Sequence, residues 1–145
     1  MTPQAFITQI APAAQSLYRK SGIFASVTIA QAAQETGWGK FIPTDKDTGK
    51  VSYNLFGVKG KGPAGHVNCP TWEVYNGIKK SKPDNFRAYH NYEESIADHQ
   101  VLLLTARYAP VRKAATPEEA AEQLYRCGYA TDPEYPAALK SIIKD

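Results

Sequence analysis

The sequence predicts a mostly helical α+β domain in which helical segments enclose a small loop-and-strand lobe. Three observations carry this reading. Residues 1–40 and 91–145 are rich in Ala, Leu, Ile and Gln, with apolar residues recurring at helical spacing. Residues 43–90 hold most of the glycines and several prolines, between short β-prone runs. The 145 residues show no internal repeat and suit one domain with a core of its own.

The elements follow in order. Thr2-Pro3 reads as an N-cap with Pro at the first helical position. Phe6, Ile7, Ile10, Ala14 and Leu17 then recur at helical spacing up to Ser21-Gly22, with Pro12 expected to kink or split the helix. Ser26 is the expected cap of a second, nearly apolar helix from Val27 to about Thr36, closed by Gly37. VNCPTWEVY (67–75) and NFRAYH (85–90) read as strands, with turn signals at Asn76-Gly77 and Lys82-Pro83-Asp84. Asn91 should cap a helix from Tyr92 to about Arg107. Thr116-Pro117-Glu118-Glu119 fits a capping box for a helix running to Cys127 and stopping at Gly128. Asp132-Pro133 should open the last helix, ending near Lys144.

Composition narrows the function. The net charge is +3 and the pI about 8.8, but no run of basic residues exceeds two. That is too sparse for a nucleic-acid stripe, and it suits an anionic polymer such as a bacterial wall. Aromatics reach 11%, and aromatic faces can hold sugar rings, although many must be core. No apolar run is long enough to span a membrane. The N-terminus lacks the basic and apolar regions of a signal peptide. Action outside the cytoplasm would therefore need another export route, or a longer parent chain. Cys69 and Cys127 could pair or stay free. His66, His90 and His99 match no compact metal spacing with them, so no metal or cofactor is expected. GVKGKGPAG (57–65) lacks the spacing of a phosphate loop, and no G-x-S-x-G motif occurs.

The chemistry candidates are carboxylates. Glu35 lies at the C-terminal end of the apolar second helix. Apolar surroundings and the negative end of the helix dipole both disfavour its charge and raise its pKa. A carboxylic acid protonated near neutral pH is what a glycosidase needs at its leaving oxygen. Helix position alone leaves a capping or solvated Glu equally open. Trp38, between Gly37 and Gly39, reads either as an aromatic wall near the acid or as a core residue at a helix end. Glu73 shares a strand face with Thr71 and Tyr75. It reads as a second carboxylate across a cleft or as a solvent-facing Glu. His99 reads as a half-buried helix residue.

Five ordered blocks go further: SVTIAQAAQETGWGK (26–40), YNLFGVKG (53–60), TWEVYNG (71–77), FRAYHNYEESIADH (86–99) and GYATDPEY (128–135). Together they resemble the bacterial endo-β-N-acetylglucosaminidase domain of glycoside hydrolase family 73, the peptidoglycan-cleaving domain of many autolysins and flagellar rod-associated proteins. The resemblance runs from about Phe6 to Ile143. It implies a single lysozyme-like domain over residues 1–145, with a β lobe at about 43–90 across a substrate groove. Glu35 matches the catalytic general acid and Glu73 the β-lobe acid proposed as second carboxylate. Tyr129 matches an aromatic residue lining the site, and Asn54, Phe56 and Gly57 match a segment beside the groove. Trp38 shifts towards packing of the helix end. Asp132, Pro133 and Tyr135 read as the cap of the last helix.

The resemblance further implies a monomer acting on peptidoglycan glycan strands at the cell wall. Family members usually carry wall-binding repeats, a signal peptide or a partner domain. Their absence here suggests an excised domain or release of the phage-lysin type. The reading from residues leaves inverting, retaining and substrate-assisted routes open. It also leaves open a muramidase or lytic transglycosylase of the same fold, and a non-catalytic wall-binding module that kept the groove.

Overall fold

The computed structural model describes residues 2–75, 78–130 and 132–144; the side chains of 71–83 and 144 lie outside the description. Six helices surround a two-stranded β lobe among the described residues: α1 (Pro3–Ser21), α2 (Ala25–Thr36), β1 (His66–Tyr75), β2 (Ile78–Arg87), α3 (Tyr92–Leu103), α4 (Ala109–Arg112), α5 (Pro117–Arg126) and α6 (Tyr135–Lys144). This is the α+β arrangement that the composition shift predicts.

Local capping chemistry sets three of the six helix starts. The side chains of Thr2, Asn91 and Thr116 accept from the backbone N–H groups of Ala5, Glu94 and Glu119, three residues on in each case. The return bond of the expected capping box shifts by one residue, because Glu119 accepts from Ala115 N–H. α2 departs from expectation. It starts at Ala25 with Phe24 as a cap that makes no side-chain bond, and Ser26 lies inside the first turn. Packing holds this start instead, since Phe24 stacks on Tyr18 at 5.8 Å. α1 also runs unbroken through Pro12. Pro12 and Thr8, whose carbonyl loses its helical donor there, are both exposed, so water can replace the missing bond.

Three other boundaries also move. α3 stops at Leu103, short of the expected Arg107, and the chain continues as a 3-10 turn (Ala106–Tyr108) and the short α4. Pro110 would clash with the carbonyl of Ala106 in a continuous helix, and Thr105 is extended (φ −69°, ψ 159°). Arg112 donates to the carbonyls of Leu103 and Thr105, satisfying the freed helix end. β2 begins at Ile78, so the expected turn at Lys82-Pro83-Asp84 is strand, with Pro83 opposite Pro70. In a two-stranded ribbon both strands are edges, where a missing N–H can face outward. Asn76-Gly77 lies outside the described residues. α6 begins at Tyr135, two residues after the expected Pro133, and the Asp132 side chain accepts from Glu134 N–H.

α2 is the central helix and packs against α1, α5 and α6. Its Val27 and Ala30 face a core with Leu103, Tyr108, Leu124 and Leu139. Its Ala32 and Ala33 face a second core with Phe6, Ile10, Leu55, Phe56 and Ile96. Small side chains let neighbours approach from both sides, so the last turn of α2 is rigidly placed. The β lobe has its own cluster of Val67, Phe86 and Ala88. Arg87 and Tyr89 tie its base to α3 through Asp98, at 2.8 and 2.5 Å. Among the described residues no helix is long and apolar enough to cross a membrane.

Candidate active site

Glu35 sits on the last turn of α2. Gly37 closes the helix in the left-handed region (φ +58°) and sends its N–H to the Ala33 carbonyl. The Cβ of any other residue at 37 would meet the Phe41 ring at 3.0 Å. Thr36 Oγ1 donates to the Ala32 carbonyl and accepts from Gly39 N–H, which locks the corner. Trp38 is held there at φ +62°, a conformation that costs a non-glycine residue about 1–2 kcal/mol. Its ring packs edge-on against Phe6 at 6.3 Å and lines a cavity of about 190 Å³ with Ile7, Ile29 and Ile142. Glu35 does not line that cavity. Trp38 therefore anchors the helix end against α1.

The second wall is the loop after Tyr53. Asn54 is fully buried, and its side chain organises the loop. Its Oδ1 accepts from the N–H groups of Phe56 and Val58, and its Nδ2 donates to the carbonyls of Val58 and Arg87. Leu55 N–H donates to Ser95 Oγ, fixing the same loop to α3. The loop delivers Gly57 beside the acid: a Cβ at Gly57 would lie 3.6 Å from Glu35 Oε2. Phe56, also buried, points into the protein, with its ring edge-on to His99 at a centroid distance of 3.8 Å.

Aromatic residues form the third wall. Tyr129 follows Gly128 past the end of α5, and its N–H bonds the Leu124 carbonyl. Arg107 grips the Cys127 and Gly128 carbonyls from outside. The Tyr129 ring stacks on Tyr135 at 6.0 Å and on His99 at 5.5 Å. Its hydroxyl lies 3.1 Å from His99 Nε2. Gln31, one helical turn before Glu35, donates to the Tyr135 hydroxyl at 3.0 Å. Sequence reasoning missed two members of this wall. Tyr135 is more than part of a helix cap, and His99 is buried rather than half-buried. The periodicity of α3 does mark position 99 as inward-facing, but no local signal names its partner.

The electrostatics centre on Glu35. Its side chain is exposed on the open side of α2, not enclosed as the apolar helix suggested. Burial of its other flank still strips water from the carboxyl and raises its pKa above the ordinary carboxylate range. The open flank limits the size of that shift, and its direction is upward. Burial likewise raises the Tyr129 hydroxyl, helped by the charges of Tyr135 and Glu35. Burial pushes Tyr135 up to about 12, with the Gln31 bond opposing and Glu35 adding. Both hydroxyls thus stay protonated beside the acid. Burial pushes His99 down to about 3, against the charge of Asp98, so its imidazole is neutral.

Glu73 lies on β1, where its backbone pairs with Lys80, and its side chain lies outside the described residues. Cys69 and Cys127 are free thiols. Among the described residues no group of three or more His, Cys, Asp or Glu side chains could hold a metal ion.

Known proteins are similar to this chain in sequence and in fold. The family described as mannosyl-glycoprotein endo-beta-N-acetylglucosaminidase matches residues 11–145. The chain is 40% identical over 146 residues to the peptidoglycan hydrolase FlgJ of Escherichia coli K12, covering 97% of this chain and 46% of the relative. It is 37% identical to the exo-glucosaminidase LytG of Bacillus subtilis, covering 97% of this chain and 50% of the relative. Names among the relatives differ in the linkage cut, since one from Lactococcus lactis, 35% identical over 97% of this chain and 33% of its own length, is a probable N-acetylmuramidase. The chain thus spans about half, or less, of the curated relatives it matches. In three dimensions it is similar to the C-terminally truncated glycoside hydrolase domain of Salmonella typhimurium FlgJ, with TM-score 0.85 and 38% identity over 99% of this chain and 96% of that one. The fold is the lysozyme-like one that the five sequence blocks imply, and the chain belongs to the glucosaminidase family of glycoside hydrolases.

Proposed function

We propose that this protein hydrolyses the β-1,4 glycosidic bond on the N-acetylglucosamine side of peptidoglycan glycan strands, with Glu35 as general acid. The observation that carries the reading is the setting of Glu35. It is open on one side, is flanked by Gly57 and the tyrosine wall, and has its pKa raised by burial. A carboxyl in that state can hold a proton near neutral pH and give it to the leaving glycosidic oxygen. Tyr129, protonated and next to the acid's field, lines the sugar site in this reading. Gly57 leaves room for the sugar to approach Glu35, while Asn54 and Phe56 act from beneath by shaping the loop.

The second carboxylate of this proposal is Glu73 on the β lobe, activating water from the opposite face of the sugar. An inverting pair needs carboxyls roughly 6.5–9.5 Å apart, and a retaining pair about 5–5.5 Å. A route in which the substrate's acetamido group attacks would need Glu35 alone. In this reading the substrate is the bacterial cell wall, the site of action lies outside the cytoplasm, and the protein acts as a monomer.

Cleavage on the muramic acid side is the second reading, favoured by the relative named as a probable N-acetylmuramidase. Digestion of purified peptidoglycan followed by borohydride reduction separates the two. Reduced N-acetylglucosamine at the new ends is the expected product. Reduced muramic acid, or an anhydro-sugar, would replace this assignment with the second reading or with a transglycosylase. No new ends at all would leave a wall-binding module, against the presence of Glu35.

A further inference from the structure

His99 is a buried titratable group beside the site to which the proposed reaction gives no role. It lies on α3 at 4% exposure, between the edge of Phe56 at 3.8 Å and the face of Tyr129 at 5.5 Å. Its Nε2 lies 3.1 Å from the Tyr129 hydroxyl, and that is the hydroxyl's one hydrogen-bond partner among the described residues. The Tyr129 backbone is held separately, by Leu124 and by the grip of Arg107 on the two preceding carbonyls. Two anchors thus fix Tyr129: the backbone sets where the ring starts, and His99 sets where the hydroxyl ends.

A tyrosine hydroxyl has one donor and two acceptor positions. In either neutral tautomer of His99, the shared bond commits one of them and leaves the others free. Phe56 ties the same imidazole to the loop that places Gly57 against Glu35. His99 is therefore the residue on which the loop wall and the tyrosine wall meet.

We infer that His99 is a positioning residue for the reaction, holding the Tyr129 hydroxyl in register with Glu35 so that it governs turnover rather than substrate binding. This rests on the functional reading above, in which Tyr129 lines the sugar site.

The test compares kcat, KM and thermal stability for H99F, H99Q, Y129F and H99F/Y129F on purified peptidoglycan. H99F keeps a ring but loses the hydrogen bond. H99Q restores a bonding atom at the position of Nε2. Both H99F and Y129F should lower kcat by about tenfold or more, with KM changed less than about twofold. The double variant should be no slower than Y129F, because the two changes remove one interaction. H99Q should recover most of the lost turnover.

Wild-type kcat in H99F, or losses that multiply in the double variant, would overturn the inference. If H99F fails to fold, H99N replaces it, since its amide reaches Nδ1 but not Nε2. H99N should then lose turnover that H99Q retains, and equal rates would overturn the inference. A wild type that releases no new reducing ends, with E35Q beside it, defeats the functional reading and this inference together. Wild-type turnover with undiminished H99 variants defeats the inference alone.

Discussion

Replacing Asn54 with Ala should destabilise the protein far more than an ordinary polar substitution. The Asn54 side chain makes four hydrogen bonds to backbone, from a residue with no exposed surface. Its loss strands the Phe56 N–H in a buried position, at a cost of about 1–3 kcal/mol. The other three partners belong to the half-buried Val58 and Arg87, where water can partly compensate, so each bond is worth about 0.5–1 kcal/mol. The total is about 2.5–6 kcal/mol. At about 3 °C per kcal/mol for a domain of this size, Tm should fall by about 8 °C or more. Urea unfolding reads this as a shift in midpoint at constant slope. Asn85→Ala, at an exposed position, is the control and should stay within about 0.5 kcal/mol. Because the same loop sets Gly57 against Glu35, N54A should also lose turnover below its new Tm. A loss under about 1 kcal/mol would refute the claim that Asn54 holds this wall.

Two pH predictions follow from the buried flanks of the site. Glu35 donates a proton only while protonated, and burial moves its pKa upward. Activity should therefore fall as pH rises through that raised value; a rate flat from about pH 5 to about pH 9 would contradict the role. His99 titrates at 6.5 when unfolded but near 3 when folded, with Asp98 opposing the shift. Between those values the unfolded chain binds the extra proton, so stability is full above about pH 6.5 and falls on acidification, by up to about 1.4 kcal/mol per pH unit. Urea unfolding over that range should show a slope in the wild type that H99Q lacks, and parallel curves would contradict the burial argument.

What the sequence made legible is local. The caps at Thr2, Asn91 and Thr116 each bond a backbone group three residues away, so composition alone could find them. Gly37 ends α2 for the same local reason. The misreadings arise where distant contacts decide. Lys82-Pro83-Asp84 carries turn residues, yet pairing with Thr71, Pro70 and Cys69 keeps it extended. The Gln31–Tyr135 bond spans 104 positions and the His99–Tyr129 bond 30, so the contacts that join the aromatic wall to α2 and α3 have no signature in any window of sequence. Glu35 was legible as an unusual acid, but its helix pattern suggested enclosure on every side. The structure gives it one open face.

The central claim is that Glu35 supplies the proton for glycosidic cleavage, and Glu35→Gln tests it most directly. The amide is nearly isosteric and stands on an exposed flank, so folding should be intact, with Tm within about 2 °C of wild type. Release of new reducing ends from purified peptidoglycan should fall by about 10²-fold or more. A folded E35Q protein that cleaves the wall at the wild-type rate would contradict the account.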